Sequence, residues 1–218
     1  MSSARSDSSI ADTTGQGVRR ASERRRANGA QTRSKLLESA RGRADARTGP
    51  EFTVDDIAAG AGVSRAAFYV YFENKLAICE EVARTTQTAF VRSAVAFERG
   101  ADLRETIEHG VGVYIRSFRD DRPGMRMVYE LAYAVPEVRT LVHDVRSQVY
   151  RAWEREFDLA VATSQCEPFD VPLVSRLLVG MLETFCVRTM RTDEYRGALD
   201  SDPVATISTL WCRSVGVE

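Results

Sequence analysis

Residues 53–75, TVDDIAAGAGVSRAAFYVYFENK, decide the fold because they predict two short helices joined by a tight turn. Thr53 suits a helix N-cap, since its hydroxyl can accept a hydrogen bond from a backbone N–H, and the acidic pair that follows suits the positive end of the helix dipole. Gly62 stands where a tight turn needs a residue without a Cβ. Phe68 and Phe72, four residues apart, give the second helix a side that can be buried.

The second helix combines a buried side with an outer side suited to DNA. Ser64 can cap it, and its outer residues are small, basic or phenolic: Arg65, Ala66, Ala67, Tyr69 and Tyr71. Small side chains let a helix enter the major groove, an arginine can bond guanine or phosphate, and tyrosine hydroxyls can bond phosphate. The stretch therefore predicts a helix-turn-helix that reads DNA.

The string IAAGAGVSRAAFYVYFENK (57–75) resembles the N-terminal signature of TetR-family transcriptional regulators, in which IA, AGVS, FY, YF and a closing Lys recur at this spacing. The sequence likeness covers residues 30–85. The order FYVYF and the ending DPVATISTLWCRSVG are most similar to the branch that contains the mycobacterial repressor controlling ethionamide activation. The resemblance implies an all-α fold, with an N-terminal three-helix helix-turn-helix DNA-binding domain and a C-terminal helical ligand-binding and dimerisation domain.

The resemblance also implies roles for individual residues. Arg65 and Ala66 would meet base edges, and Ala67 would make an apolar contact such as one with a thymine methyl group. The remaining candidates would mainly hold the phosphate backbone of double-stranded DNA: Thr53, Ser64, Tyr69, Tyr71 and Lys75.

The charge distribution agrees with a DNA-binding head. Residues 17–76 carry twelve Arg and Lys against seven Asp and Glu, although the net charge of the 218 residues is −1. A basic head joined to an acidic remainder is what a polyanion-binding domain fused to another domain would show. No apolar run approaches the roughly 20 residues needed to span a bilayer, and no secretory signal is evident, so we expect a cytoplasmic protein.

Cysteine and histidine usage argues against metal binding and catalysis. The four cysteines are scattered without a CxxC pair, and the chain has only two histidines. We find no Ser-His-Asp or Cys-His arrangement and no glycine-rich phosphate loop. The sequence therefore predicts no enzyme, no catalytic residue, no metal site and no cofactor.

Helical periodicity organises the chain into three parts. Residues 1–28 contain almost no large apolar residues and are predicted to be a disordered basic tail, whose arginines are either solvated or reach DNA as an arm. Residues 29–76 form the predicted helix-turn-helix domain, with a first helix from about Ala30 to Ala46. Residues 77–218 form the predicted effector-binding and dimerisation domain. No stretch alternates with period two, so no sheet is expected.

A helix-turn-helix protein commonly acts as a dimer, because two recognition helices must meet major-groove faces about 34 Å apart. Two C-terminal segments are candidates for the interface of such a dimer. Residues 171–191 carry apolar side chains around more of the helix than one core-facing stripe requires. The set is Leu173, Leu177, Leu178, Met181, Leu182, Phe185 and Val187, and residues 203–215 form the second segment. The alternative is a central core helix in a monomer.

Aromatic residues of the middle helices are candidates for an effector cavity, because regulators of the resembled family bind small, mostly apolar effectors there. The candidates are Gly110, Tyr114, Phe118, Tyr129, Trp153, Phe157 and Trp211, with Glu183 as a polar handle. Gly110 would leave space in a cavity wall or let two helices pack closely. For each aromatic residue, ordinary core packing is the alternative.

Together these patterns predict a homodimeric transcriptional repressor, released from a palindromic operator by a small apolar effector. Two other functions stay open. The protein could be an architectural DNA-binding protein without a discrete operator. It could also be a regulator controlled by a protein partner and not by a small molecule.

Overall fold

A computed structural model describes residues 8–44, 52–191 and 203–217, and the fold within these ranges is entirely α-helical, as predicted. The nine helices found there are α1 (Ser8–Arg43), α2 (Val54–Gly60), α3 (Arg65–Tyr71), α4 (Lys75–Ala94), α5 (Leu103–Asp120), α6 (Arg122–Ala134), α7 (Pro136–Ala162), α8 (Val171–Arg191) and α9 (Val204–Ser214). We call α1–α3 the head and α4–α9 the body.

The head is built around one apolar cluster that α1, α2 and α3 share. Leu36, Ile57 and Phe68 are fully buried in it. Gly62 adopts a φ of 67° after α2, a left-handed conformation that costs glycine little, so the chain can reverse into α3. The predicted turn and the predicted buried residues are thus confirmed.

Helix α1 is longer than predicted. It begins at Ser8 and not near Ala30, so the tail expected to be disordered over residues 1–28 is helical from Ser8 onward, and residues 1–7 lie outside the described residues. Although this stretch has few large apolar residues, its Ala, Arg, Glu and Gln residues are good helix formers. Extending a helix already anchored at Leu36 and Ala40 also avoids the cost of nucleation.

Helix α6 also begins earlier than expected. The sequence Arg122–Pro123–Gly124 predicts a break before a helix at Met125, whereas α6 starts at Arg122. Proline is compatible with a first helical turn, where its missing N–H has no partner to lose. Asp121 caps that turn, because its Oδ1 accepts a hydrogen bond from the Gly124 N–H at 3.1 Å.

The body core is filled largely by aromatic side chains. Helix α5 packs on α9, and α7 packs on α6, α4 and α8. Gly110 of α5 lies against the Trp153 ring of α7 so closely that a Cβ would come within 2.4 Å of the ring. Of the two interpretations of Gly110, close helix packing is the one that the structure shows.

Candidate nucleic-acid interface and body cavity

Helix α3 presents one face to the outside and buries the other. Ser64 caps it by accepting a hydrogen bond from the Ala67 N–H at 3.1 Å. Phe68 is fully buried and packs on Phe72 at 5.8 Å between ring centroids, which fixes the helix to the head. The exposed face carries the predicted Arg65, Ala66 and Tyr69, while Ala67 is half-buried beside them.

Val70 belongs to the same exposed face and was not among the predicted site residues. Its side chain is 77% exposed, although it is apolar. It lies one turn after Ala66, so the two form an apolar strip along the outer side of α3. Sequence reasoning missed it because a valine between two tyrosines looks like a core residue, whereas its helical position places it away from the buried Phe68.

Arg65 is held in a defined position at this surface. Its Nη1 is 2.5 Å from Asp55 Oδ2, and its Nη2 donates a hydrogen bond to the Tyr69 hydroxyl at 3.3 Å. The hydrogen bond to Tyr69 and the nearby Asp55 charge raise the pKa of Arg65 above its usual range. The guanidinium is thus charged, solvent-exposed and oriented before any ligand approaches.

Thr53 acts within the protein as the cap of α2. Its Oγ1 accepts a hydrogen bond from the Asp56 N–H at 3.2 Å, and its backbone N–H donates to Asp56 Oδ2 at 2.7 Å. Hydrogen bonds from Thr53 lower the pKa of Asp56. This reciprocal arrangement satisfies two helix-terminal donors, so α2 starts where the sequence predicted.

Tyr71 and Lys75 lie apart from the exposed face of α3. Tyr71 is half-buried near Gly29 of α1. The Lys75 ammonium donates a hydrogen bond to the Phe52 carbonyl at 3.1 Å and lies 5.0 Å from the centre of the Phe52 ring. Asn74 caps α4 through the Ala77 N–H at 2.9 Å. The structure therefore gives Lys75 contacts within its own chain, in addition to any role towards phosphate.

The head is tied to the body by polar contacts as well as by packing. Arg41 of α1 forms an ion pair with Asp121, and the same carboxylate accepts a hydrogen bond from Thr86 Oγ1 of α4 at 2.9 Å. A second pair joins Arg33 of α1 to Glu81 of α4 at 2.9 Å. Because α4 packs both in the apolar cluster of the head and in the body core, a displacement in the body can reach α1 through these contacts.

Most aromatic residues predicted to line a cavity fill the core instead. Tyr114 and Phe118 stack at 5.3 Å, and Trp153 meets Trp211 edge to face at 4.8 Å. Phe157 is fully buried beside Trp153. These contacts favour the alternative of ordinary core packing, since large rings that fill one another's gaps leave little room between them.

Two of the predicted residues, Tyr129 and Glu183, border a cavity of about 730 Å³ at the surface between α6, α7 and α8. The other lining residues come from the same three helices: Tyr133, Arg146, Tyr150, Gly180, Thr184, Val187 and Arg188. The structure thus places Tyr129 and Glu183 together at this cavity, and Tyr129 also packs on the Phe118 ring at 5.9 Å between centroids. The other predicted residues, at 110, 114, 118, 153, 157 and 211, do not line the cavity.

Glu183 is the centre of a polar network in the wall of this cavity. It is only 7% exposed, and its carboxylate accepts hydrogen bonds from Arg146 Nε at 2.6 Å, Arg146 Nη2 at 2.8 Å and the Tyr129 hydroxyl at 2.7 Å. Burial, with the Glu183 charge nearby, raises the pKa of Tyr129. The hydrogen bonds to Glu183 raise the pKa of Arg146. Sequence reasoning missed Arg146, because one arginine in an amphipathic helix carries no signal of its own.

Apolar side chains are exposed in a stripe on the last two helices. Leu173, Leu177 and Met181 follow one face of α8, and Leu210 is exposed on α9. Leu178 and Leu182, on a neighbouring face of α8, are buried in the body. Helix α8 is therefore apolar on two sides, as the sequence indicated.

Metal-binding clusters and membrane-spanning helices are not found in the part of the chain that the structure describes. No group of three or more His, Cys, Asp and Glu side chains there has the geometry to hold a metal ion. None of the helices described is long and apolar enough to cross a membrane. Burial raises the pKa of the Cys79 thiol to about 11, so this cysteine is protonated at neutral pH.

Known proteins share both the sequence pattern and this geometry. The family model for bacterial regulatory proteins of the tetR family matches residues 46–82. The HTH-type transcriptional regulator EthR of Mycolicibacterium smegmatis is 26% identical over 201 residues, covering 87% of this chain and 88% of that protein. This match agrees with the branch that the sequence pattern indicated.

Solved structures show the same fold. The TetR family transcriptional regulator PfmR from Thermus thermophilus aligns with a TM-score of 0.65 at 21% identity, over 82% of this chain and 94% of that one. A tetR-family transcriptional regulator from Streptomyces coelicolor aligns with a TM-score of 0.63 at 22% identity, over 84% of this chain and 80% of that one.

The family match covers the region that holds α2, the start of α4 and α3 with its exposed face. The matched family consists of transcription regulators and not of enzymes, which confirms the prediction that this protein is not an enzyme. Residues 46–82 match the tetR family of bacterial regulatory proteins, and 87% of the chain is similar to an HTH-type transcriptional regulator, so we conclude that the protein is a DNA-binding transcriptional regulator.

Proposed function

We propose that the protein is a homodimeric repressor in the cytoplasm, which leaves a palindromic operator when a small effector with an apolar body binds the α4–α9 part of each subunit. The observation that carries the proposal is the division of α3 into a buried side at Phe68 and an exposed side at Arg65, Ala66, Tyr69 and Val70. Such a helix can enter a major groove without losing its support. Arg65 would read a base edge, and Ala66 and Val70 would contact thymine methyl groups.

Dimerisation supplies the second reading helix. The stripe of Leu173, Leu177, Met181 and Leu210 is the apolar surface of α8 and α9 that the body leaves uncovered. Pairing of this stripe with its copy would bury it and present two α3 helices to successive major-groove faces. The stripe favours a dimer over the alternative of a monomer with a central core helix.

Helix α4 supplies the connection between effector and DNA. Its first half packs in the head cluster through Ile78 and Val82, and its second half packs in the body core through Phe90 and Ala94. A change in the body that shifts α4 therefore changes the position of α3 relative to its copy. A coupling free energy of about 1–3 kcal/mol would alter DNA affinity roughly 5- to 150-fold.

The test is footprinting of the full-length protein on the promoters of its own gene and of the adjoining genes. We expect a discrete protected palindrome, with protection reduced by extracts or compounds that raise the melting temperature of the protein. Uniform binding to all duplexes would favour an architectural protein. A discrete footprint that responds only to a second protein would favour control by a protein partner.

A further inference from the structure

We propose that the effector is a small organic acid whose carboxylate binds Arg146, in the cavity between α6, α7 and α8, while its aromatic or aliphatic body packs against the tyrosines around it. This inference rests on the proposed ligand-responsive function and adds the chemical class of the ligand. It is carried by the arrangement of hydrogen bonds at Arg146, by the charge of the lining and by the shape of the cavity.

The Glu183 carboxylate orients Arg146 but accepts hydrogen bonds from only two of its nitrogen atoms, Nε and Nη2. Its Nε and Nη2 donate to the two oxygens of Glu183, and Glu183 is itself held by Tyr129. A guanidinium carries five N–H groups in a rigid fork, so a second edge, formed by Nη1 and the other Nη2 hydrogen, remains after this pair. Within the described residues that edge has no hydrogen-bond partner, and the Arg146 side chain is 35% exposed.

The second edge of a fixed arginine is suited to a second carboxylate. Bidentate arginine–carboxylate pairs are among the stronger hydrogen-bonded pairs, and a guanidinium that is already held in place loses less entropy when it binds. Glu183 supplies this orientation from a nearly buried position. The pair therefore positions an anion-binding group at the cavity wall.

The charge of the lining favours an acid over an amine. Glu183 is the carboxylate among the described lining residues, and Arg146 lies beside it. Both Glu183 oxygens already accept hydrogen bonds, three in all, from Arg146 and Tyr129. A cationic ligand would have to displace Arg146 from Glu183 and leave a half-buried guanidinium without its counter-charge, which is costly.

The remaining walls suit the apolar body of such an acid. Tyr129 and Tyr133 lie one turn apart on α6, and Tyr150 lies on α7. Val187 adds aliphatic surface on α8. At Gly180 an added Cβ would meet no atom within 4 Å, so the cavity extends up to the α8 backbone at that point.

The first experiment compares matched ligands of three charge types. Aryl and alkyl carboxylates from benzoate to dodecanoate are each tested against their primary amide and primary amine, with calorimetry for binding and fluorescence anisotropy for release of the operator. We expect at least one acid to bind about 10-fold or more tightly than its amide, with the amine weakest, and to release the operator. Equal binding of acid and amide, tighter binding of an amine, or no binding by any acid of the series would overturn the inference.

The second experiment tests the residues with two independent variants. Arg146→Met should reduce acid affinity about 10-fold or more and remove the preference over the amide. Gly180→Met should reduce acid and amide affinity together, because it fills the cavity without touching the ion pair, whereas Gly180→Ala should retain most of the affinity. Acid binding that survives both Arg146→Met and Gly180→Met would place the ligand elsewhere.

The same measurements separate this inference from the proposed function. Each variant is checked for a dimer mass and for operator affinity without ligand. A wild-type protein that binds no discrete operator refutes the proposed function. A protein that binds its operator, but is released by a neutral or cationic compound and not by an acid, refutes the ligand class alone.

Discussion

The Arg41 guanidinium of α1 pairs with the Asp121 carboxylate that caps α6, so one side chain both starts a body helix and holds the head. The same carboxylate also accepts a hydrogen bond from Thr86 of α4. Three helices that are distant in sequence are thereby joined at one point. We infer that the relative position of head and body depends on this contact.

Substitutions at Asp121 should separate its two structural roles. Asp121→Ala removes the cap and the ion pair and should lower the free energy of unfolding by about 1–2 kcal/mol, because lost N-caps typically cost about 1 kcal/mol. Asp121→Asn keeps a capping oxygen and should cost less, about 0–1 kcal/mol, as expected for a partly exposed pair. Urea unfolding at one fixed protein concentration measures both, with Arg41→Gln as the matched partner variant. Equal losses for Ala and Asn would show that the cap contributes nothing.

Arg65 and Asp55 should affect DNA binding in opposite directions. Arg65→Ala should cost about 1–3 kcal/mol of operator binding and relax sequence preference, because it removes the oriented guanidinium from the reading face. Asp55→Asn should strengthen binding to all duplexes, since it removes a negative charge 2.5 Å from Arg65 at the surface that would approach DNA. Anisotropy titrations on operator and scrambled duplexes at one salt concentration measure both effects. Unchanged affinity and selectivity in Arg65→Ala would contradict the assignment of base reading.

Lys75 should contribute to DNA binding without specificity. Lys75→Ala should weaken operator and scrambled duplexes about equally and reduce the salt dependence by about one phosphate contact. The ammonium also donates a hydrogen bond to the Phe52 carbonyl, so Lys75→Ala also removes a contact to the chain segment that enters α2. Lys75→Arg, which keeps a cation, is the control. A loss confined to the operator would show that Lys75 takes part in sequence reading.

The exposed stripe on α8 should determine the oligomeric state. Leu177 is 62% exposed in one subunit and should lie within the dimer interface. A charge buried without a partner in an apolar interface is strongly unfavourable, so Leu177→Glu should give a monomer by light scattering and reduce operator affinity about 10-fold or more. Leu159→Glu, at an exposed leucine of α7 outside the stripe, should leave the dimer intact. Loss of the dimer in both variants would point to general unfolding.

Two helical glycines should respond to alanine in opposite ways. Gly110→Ala should destabilise the protein by about 1–3 kcal/mol, because the new Cβ would clash with the buried Trp153 ring and overpack the core. Gly180→Ala should be neutral or stabilise by up to about 1 kcal/mol, because its Cβ meets open space and alanine favours the helix. Urea unfolding at fixed protein concentration distinguishes them. A stable Gly110→Ala variant would mean that Trp153 can move, and that the interior is less tightly filled than its stacked rings indicate.

The helix-turn-helix could be predicted closely because its determinants are local. The Thr53 cap, the Gly62 turn and the Ser64 cap each depend on hydrogen bonds or backbone angles within a few residues. The Phe68 and Phe72 pair follows from helical spacing alone. Such features are encoded by neighbouring residues, and the structure differs little from the prediction there.

Features that depend on distant partners were predicted less well. The sequence left open whether aromatic residues of the body line a cavity or pack in the core, and in the structure Tyr114 packs on Phe118 and Trp153 on Trp211. Whether an aromatic ring fills a core or borders a space depends on which rings the other helices bring to it. Composition and periodicity do not give the distances between rings on different helices.

The chain by itself determined its helices, the caps that start them and the side of α3 that faces outward, because each of these follows from interactions along a few turns of backbone. Only the tertiary structure decided that Arg146 meets Glu183 across 37 positions and that Arg41 meets Asp121 across 80. Ion pairs between separate helices depend on how the helices cross, and that crossing is set by the packing of the whole core.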